Sequence, residues 1–296
     1  MSIICNNISF KSTNLIDTDN SQESVIKSDL KTKLERSPEQ DCIDFIKTQN
    51  KRPTLFSLLG KPIIESIDKK VKEAKQRKEI EAINKTCEKL IDNLTETQKI
   101  FQEVFMRKDL SEKETLEMIK RYHDIEIIGI KGDKETYIKE LFKEAKSNYG
   151  IENLPNEIKI VYGNIRKNPK MLGYTDPFGD VQIRGDLSRK DIFNVVHHEL
   201  RHVKQNYYAF NFNSEEFVKY SQPKNMEIPE EIFECAYDCK PDKSNIAPEY
   251  IEFAKKSLDA KKTYCSANKN ENGYLAQWCE EDAFNTGNKM QKLFNL

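Results

Sequence analysis

Ser188-Arg189-Lys190-Asp191-Ile192-Phe193-Asn194-Val195-Val196-His197-His198-Glu199-Leu200-Arg201-His202 is the stretch on which the reading of this chain turns. Ser188, with Asp191 three residues on, reads as a capping box that opens a helix. Ile192, Val195, Val196, Leu200 and Val203 follow at helical spacing and supply a buried stripe. His198 and His202 are four residues apart and stack on one face. Their imidazoles can therefore take two corners of a tetrahedral Zn²⁺ site without bending the backbone. Glu199 lies beside that face, where its carboxylate can take a proton from a water that the metal polarises for attack on a carbonyl.

The chain has four histidines and 49 acidic residues. Counting every acid as Glu, roughly 0.009 matches to the HExxH spacing arise by chance, so coincidence is a poor explanation. Three of the four histidines fall between positions 197 and 202. The bland alternative is a set of helix histidines satisfied by ordinary hydrogen bonds. His197 points off the metal face and reads as a packing or hydrogen-bonding residue. His123, in the charged segment Arg121-Tyr122-His123-Asp124, reads as solvent-exposed.

Upstream of this helix the texture is that of short strands. Glu157-Ile158-Lys159-Ile160-Val161-Tyr162-Gly163 alternates with period two and puts Ile158, Ile160 and Tyr162 on one face. The turn Asp176-Pro177-Phe178-Gly179-Asp180 leads into Val181-Gln182-Ile183-Arg184, a second strand with Val181 and Ile183 on a common face. Earlier still come a short helix after Ser111, the apolar run 125–130, and a helix from about Lys134 to Ser147 that ends near Gly150. Between Pro62 and Met106, Ile64, Ile67, Val71, Ala74, Ile83, Cys87, Leu90, Leu94, Phe101 and Phe105 keep three-to-four spacing, which predicts a long amphipathic helix or a helical hairpin. The charged break from Lys75 to Glu79 disturbs the register, so packing against a neighbour is favoured over a dedicated coiled coil; a helical partner through residues 62–106 stays open. Ser37-Pro38-Glu39-Gln40 marks the first ordered element, and residues 1–36, rich in polar residues without a period, read as a mobile leader.

A net charge of −1, from 48 basic and 49 acidic residues, leaves no global field to gather nucleic acid or an anionic membrane. The most apolar run falls far short of the roughly 20 residues of a spanning helix. Met1-Ser2-Ile3-Ile4-Cys5-Asn6-Asn7 lacks the pattern of a secretory signal, which favours the cytoplasm and is equally compatible with export by a signal-less route. Seven cysteines with no CxxC pair fit reduced thiols, and Cys235 and Cys239 read as buried free thiols rather than as thiolate ligands.

The strand and the capped His198-Glu199-Leu200-Arg201-His202 helix together resemble the zincin superfamily of zinc metallopeptidases. The resemblance implies that an edge strand upstream of the helix, here 181–184, binds the substrate main chain, and that a third ligand comes from further along. A metzincin-type continuation is excluded by Gln205 and Tyr208, and no histidine follows His202. A carboxylate then completes the site, as in the gluzincin branch. Glu280-Glu281-Asp282-Ala283 is similar to the ExxA segment that supplies this ligand there, which implies Glu280. Glu281 is the main rival, about 100° around the same helix. Glu215 and Glu216, behind a helix start at Asn211-Phe212-Asn213-Ser214, are weaker choices. Gln205 gives a further similarity, to HExxHxxQ peptidase-like domains, and sits where it could bond a ligand or the backbone. Tyr274, taken as lying on the Glu280 helix, and Tyr207, Tyr208 and Arg201 are candidate oxyanion donors.

The expected fold is therefore α+β and mostly helical. A mobile leader (1–36) and an N-terminal helical region (37–110) precede a zincin-like metallopeptidase domain (111–296), whose small antiparallel or mixed sheet lies beside the HExxH helix. The expected activity is zinc-dependent hydrolysis of a polypeptide substrate, with His198, His202 and Glu280 holding Zn²⁺ and Glu199 as general base. Two rivals stand beside it: a metal-binding scaffold without catalysis, built on the N-terminal helices, and a zinc hydrolase of non-peptide amides.

Overall fold

The computed structural model describes residues 2–4, 56–222, 227–265 and 270–296. The leader and the helix start at Ser37 lie outside these residues, apart from Ser2–Ile4. The chain divides into two compact units, Met1–Asn6 with Glu79–Leu296, and Asn7–Lys78. The division falls within the charged break that interrupts the apolar stripe of the first long helix, α1 (Phe56–Asp92). From Ile83 onward the stripe is used by the larger unit: Ile83, Cys87 and Leu90 of α1 and Phe101, Val104 and Phe105 of α2 (Leu94–Phe105) are buried, whereas Val71 is exposed. Two helices interrupted at Asn93 thus stand where the spacing predicts one long helix or a hairpin.

Ser111 caps α3 (Glu112–Lys131) in a full capping box with Glu114. This helix runs through the apolar stretch 125–130, so the short helix and separate apolar run expected there are one element. Glu126 and Gly129 interrupt the apolar pattern and mask the helical period of its second half. Asp133 caps α4 (Lys134–Asn148).

A mixed sheet follows, with strands β1 (Ser2–Ile4), β2 (Ile158–Val161), β3 (Met171–Thr175) and β4 (Val181–Arg184) in the order β1-β3-β4-β2. β2 runs parallel to β4, pairing Ile158 with Val181 and Ile160 with Ile183. β3 is antiparallel to β4, with Gly173 opposite Ile183 and Thr175 opposite Val181. Residues 181–184 are therefore an interior strand, saturated on both sides, and correct the expectation of a substrate-binding edge there. Met-Leu-Gly-Tyr-Thr lacks the alternation that announces a strand, and its central glycine weakens the signal further. Tyr162 lies beyond β2 and is exposed, its hydroxyl donating to Glu135.

Helix α5 (Arg189–Phe212) runs through the middle of the larger unit, capped by Ser188. Its buried residues occupy every face, so polar ones among them need internal partners. Arg201 meets Asp282 through two hydrogen bonds of 2.6 and 2.9 Å. Lys204 donates to the carbonyls of Phe105 and Tyr149, satisfying the C-terminal ends of α2 and α4. Burial pushes its ammonium down to about 7. Beyond α5 come α6 (Ser214–Ser221), α7 (Glu230–Ala236), α8 (Ile251–Lys262), the short α9 (Glu271–Leu275) and α10 (Trp278–Leu293). α10 packs along α5 closely enough that a Cβ on Gly287 would stand 2.8 Å from the Asn194 carbonyl oxygen. Cys235 is exposed and Cys239 partly buried, which corrects the expectation that both thiols are buried: α7 is short and ends near the surface. No helix among the described residues is long and apolar enough to cross a membrane.

Candidate metal centre

α5 turns His198 and His202 toward α10, whose first turn carries Glu280. The three side chains are buried and offer one ligand atom each to a common point. His198 Nε2 lies 2.9 Å from His202 Nε2. Glu280 Oε2 is 3.5 Å from the first and 3.4 Å from the second. Four ligands around a tetrahedral zinc, each at about 2.0–2.1 Å, stand roughly 3.3 Å apart, so these spacings fit the edges of such a site. Glu199 Oε1 and Glu280 Oε1 are buried without a hydrogen-bond partner among the described residues. Orphaned polar atoms of this kind, gathered at one place, fit a site made for a bound group.

Electrostatics agrees with the geometry. Burial pushes the His198 imidazole down to about 4, keeping it neutral with a lone pair to offer. For Glu280, burial works to raise the carboxyl, but the His202 and His198 rings outweigh it and hold the group well below the usual range. Two imidazoles facing an ionised carboxylate are a donor set that a divalent cation takes.

Glu199 adjoins the cluster. Its carboxyl is wholly buried, which raises it to about 8. Thr175 on β3 lies with Oγ1 2.7 Å from Glu199 Oε2 and 3.1 Å from the Glu199 carbonyl oxygen. Gly173, two residues earlier, leaves the room: a Cβ there would be 2.5 Å from Glu199 Oε1 and 2.7 Å from Val195 Cγ1. Neither residue was found from sequence, since the contact spans 24 positions and depends on β3 lying against α5. The one signal in the chain is the glycine inside a five-residue strand.

Gln205 bonds His202, with Oε1 2.8 Å from Nδ1. Its amide nitrogen donates to the Cys279 carbonyl and to Asp282, both on α10. Tyr274 lies on α9, not on the Glu280 helix, because Ala276 and Gln277 break the chain between the two. Its hydroxyl nevertheless donates to Glu280 Oε2 at 2.6 Å. Of the other oxyanion candidates, Arg201 is engaged by Asp282, Tyr208 packs against Tyr250 and Phe253, and Tyr207 against Tyr237.

The rival carboxylates lie elsewhere. Glu281 is exposed, Glu215 is exposed, and Glu216 pairs with Lys262 at 2.7 Å. His197 sits among Phe105, Tyr122, Tyr149 and Phe193 as a packing residue. His123 is partly buried, bonded to Asn84 and Asp124, because α1 covers the face of α3 that the sequence left open. Comparison of the chain with protein-family models, with curated proteins and with solved structures returns no match.

Proposed function

We propose that this protein is a zinc-dependent metallopeptidase of the gluzincin kind, with His198, His202 and Glu280 holding Zn²⁺ and Glu199 as general base. The observation that carries this reading is the convergence of three buried donor atoms at tetrahedral spacing beside a buried carboxyl. A zinc ion held there supplies Lewis acidity, polarising a scissile carbonyl and bringing the pKa of a water toward 7.

The chain's own residues supply the proton handling. Glu199, whose proton affinity burial raises, is the carboxyl placed to take a proton and pass it to a leaving amine. Thr175 holds its Oε2 and leaves Oε1 unengaged. Tyr274 orients Glu280 and is the one candidate oxyanion donor whose hydroxyl reaches the cluster. The zincin resemblance implies that a strand beside the helix aligns the substrate; here that role falls to β3, which carries Gly173 and Thr175 and whose outer edge is covered by the three-residue β1.

Metal analysis of protein purified without added metal should give stoichiometric zinc, lost in His198→Ala. The Glu199→Gln protein should keep the zinc and lose hydrolysis of an unfolded polypeptide. A parent protein free of zinc would sink the site.

One observation favours a second reading. His198, Glu199, His202 and Glu280 are all inaccessible to solvent, as in a structural metal site. Structural zinc sites, however, are closed by four protein ligands, whereas three are gathered here among the described residues. The scaffold reading expects bound zinc with no hydrolysis in the parent protein. Products from an amide other than a peptide would point to the remaining alternative.

A further inference from the structure

We infer that Ser2–Ile4 occupies, within its own chain, the polypeptide-binding edge of β3, so that the chain inhibits itself until another extended segment takes its place. This rests on the peptidase reading for its functional meaning, and on the sheet alone for its geometry.

β3 is the strand against Glu199, through Gly173 and Thr175. One of its edges is used by β4 and the other by β1. β1 runs antiparallel to β3, with Ser2 opposite Tyr174, Ile3 opposite Gly173 and Ile4 opposite Met171. Its main chain therefore passes alongside the residue that makes room for Glu199. In strand addition the affinity comes from main-chain hydrogen bonds, which every extended polypeptide offers alike. Whatever segment lies on that edge competes with any polypeptide that would lie there.

Accessibility makes the same demand. With His198, Glu199, His202 and Glu280 all at 0% exposure, no polypeptide reaches them in this arrangement, and an element has to move. β1 is suited to that role. It has three residues, lies at the edge of the sheet, and its register slips between Ile3 and Ile4. Short edge elements with few hydrogen bonds open at free energies far below global unfolding. As part of the same chain, β1 also recloses without the entropy cost of a bimolecular encounter. The competing explanation is an edge strand that only shields the sheet from other chains.

The test uses the full chain with Ile3→Pro, which removes a main-chain N–H and fixes φ at the middle residue of this three-residue strand. Three quantities are compared with the parent: hydrogen exchange over residues 171–175, binding of a fluorescent peptide copy of Met1–Asn6 under reducing conditions, and zinc-loaded hydrolysis of casein. Exchange should quicken about tenfold in the variant, on the scale of a locally opened strand. The peptide should bind the variant at least about tenfold more tightly than the parent and restore the protection. Casein hydrolysis should rise through a lower KM at unchanged kcat. Equal exchange and equal peptide binding in the two proteins would overturn the inference, as would equal KM values. If neither protein hydrolyses casein, the peptidase reading fails, and exchange and peptide binding still decide whether β1 is a displaceable occupant. Ile4→Pro serves as the second variant should thermal melting show Ile3→Pro to be unfolded.

Discussion

Gln205 decides which nitrogen of His202 faces His198 and Glu280. Its amide nitrogen donates to two acceptors, the Cys279 carbonyl and an Asp282 oxygen, which fixes the amide with Oε1 toward the ring. His202 Nδ1 must then carry the proton, leaving the Nε2 lone pair directed at His198 and Glu280. Replacing Gln205 with Ala should weaken zinc affinity by about 10–100-fold, the usual cost of losing such an outer partner. Competition with a chromophoric chelator measures this, and unchanged affinity would show that His202 is oriented by other contacts. Glu199→Gln should lower peptide hydrolysis by about 10²–10⁴-fold, the range for general-base catalysis, with zinc content unchanged. At this scale the sequence was informative where spacing along one helix sufficed: His198, His202 and the face of Gln205 follow from helical geometry. Glu280 came through a resemblance of four residues. Thr175 and Gly173 could not be found, because nothing in a linear chain states which strand lies against which turn of α5.

At the scale of elements, the site depends on the fit between α5 and α10. Asp282 receives both Arg201 and Gln205, and Gly287 allows the backbones to close on each other. Gly287→Ala would put a methyl 2.8 Å from a main-chain oxygen of α5, an atom that cannot rotate away. The expected cost is about 1–3 kcal/mol of overpacking, read as a lower urea midpoint; an unchanged midpoint would mean that α10 shifts freely. Far from the site, the α3 capping box gives a pH signature. Hydrogen bonds from the Ser111 hydroxyl and main chain, with help from Arg107, lower Glu114 from the ordinary 4.5 to about 2. A depressed carboxyl contributes stability that is fully present above pH 4.5 and is lost as pH falls toward 2. Glu114→Gln should therefore remove part of the acid dependence of unfolding in that window and leave the dependence above pH 5 as it was. The cap of α5 was open to sequence reading because capping is local. The break between α9 and α10 was not, since Glu271 to Leu293 contains no proline or strong stop signal at Ala276-Gln277.

For the molecule as a whole, α5 is an axis rather than a surface helix: the sheet, α4, α8 and α10 surround it, and its buried charges are met by groups from distant parts of the chain. The helical class and a small sheet, antiparallel or mixed, could be anticipated from period and alternation. Strand order could not, because placing β3 between β1 and β4 is a long-range choice that no local pattern encodes. The same long-range closure would give the candidate metal site a thermodynamic role. His198 and His202 belong to α5 and Glu280, 78 positions beyond His202, to α10. An ion bound to all three ties the two helices together in the folded state and has no such site in the unfolded chain. Binding free energy then becomes folding free energy, about 2.7 kcal/mol at a free zinc concentration 100 times Kd. For a chain of this size that corresponds to a melting shift on the order of 5 °C. Thermal melting after chelator treatment should therefore fall, rise again with added zinc, and follow the logarithm of zinc concentration once the site is saturated. Glu280→Ala should flatten that response, since the remaining histidine pair lies wholly on α5 and no longer bridges to α10. A melting temperature indifferent to zinc in the parent protein would show that the three side chains converge without binding it.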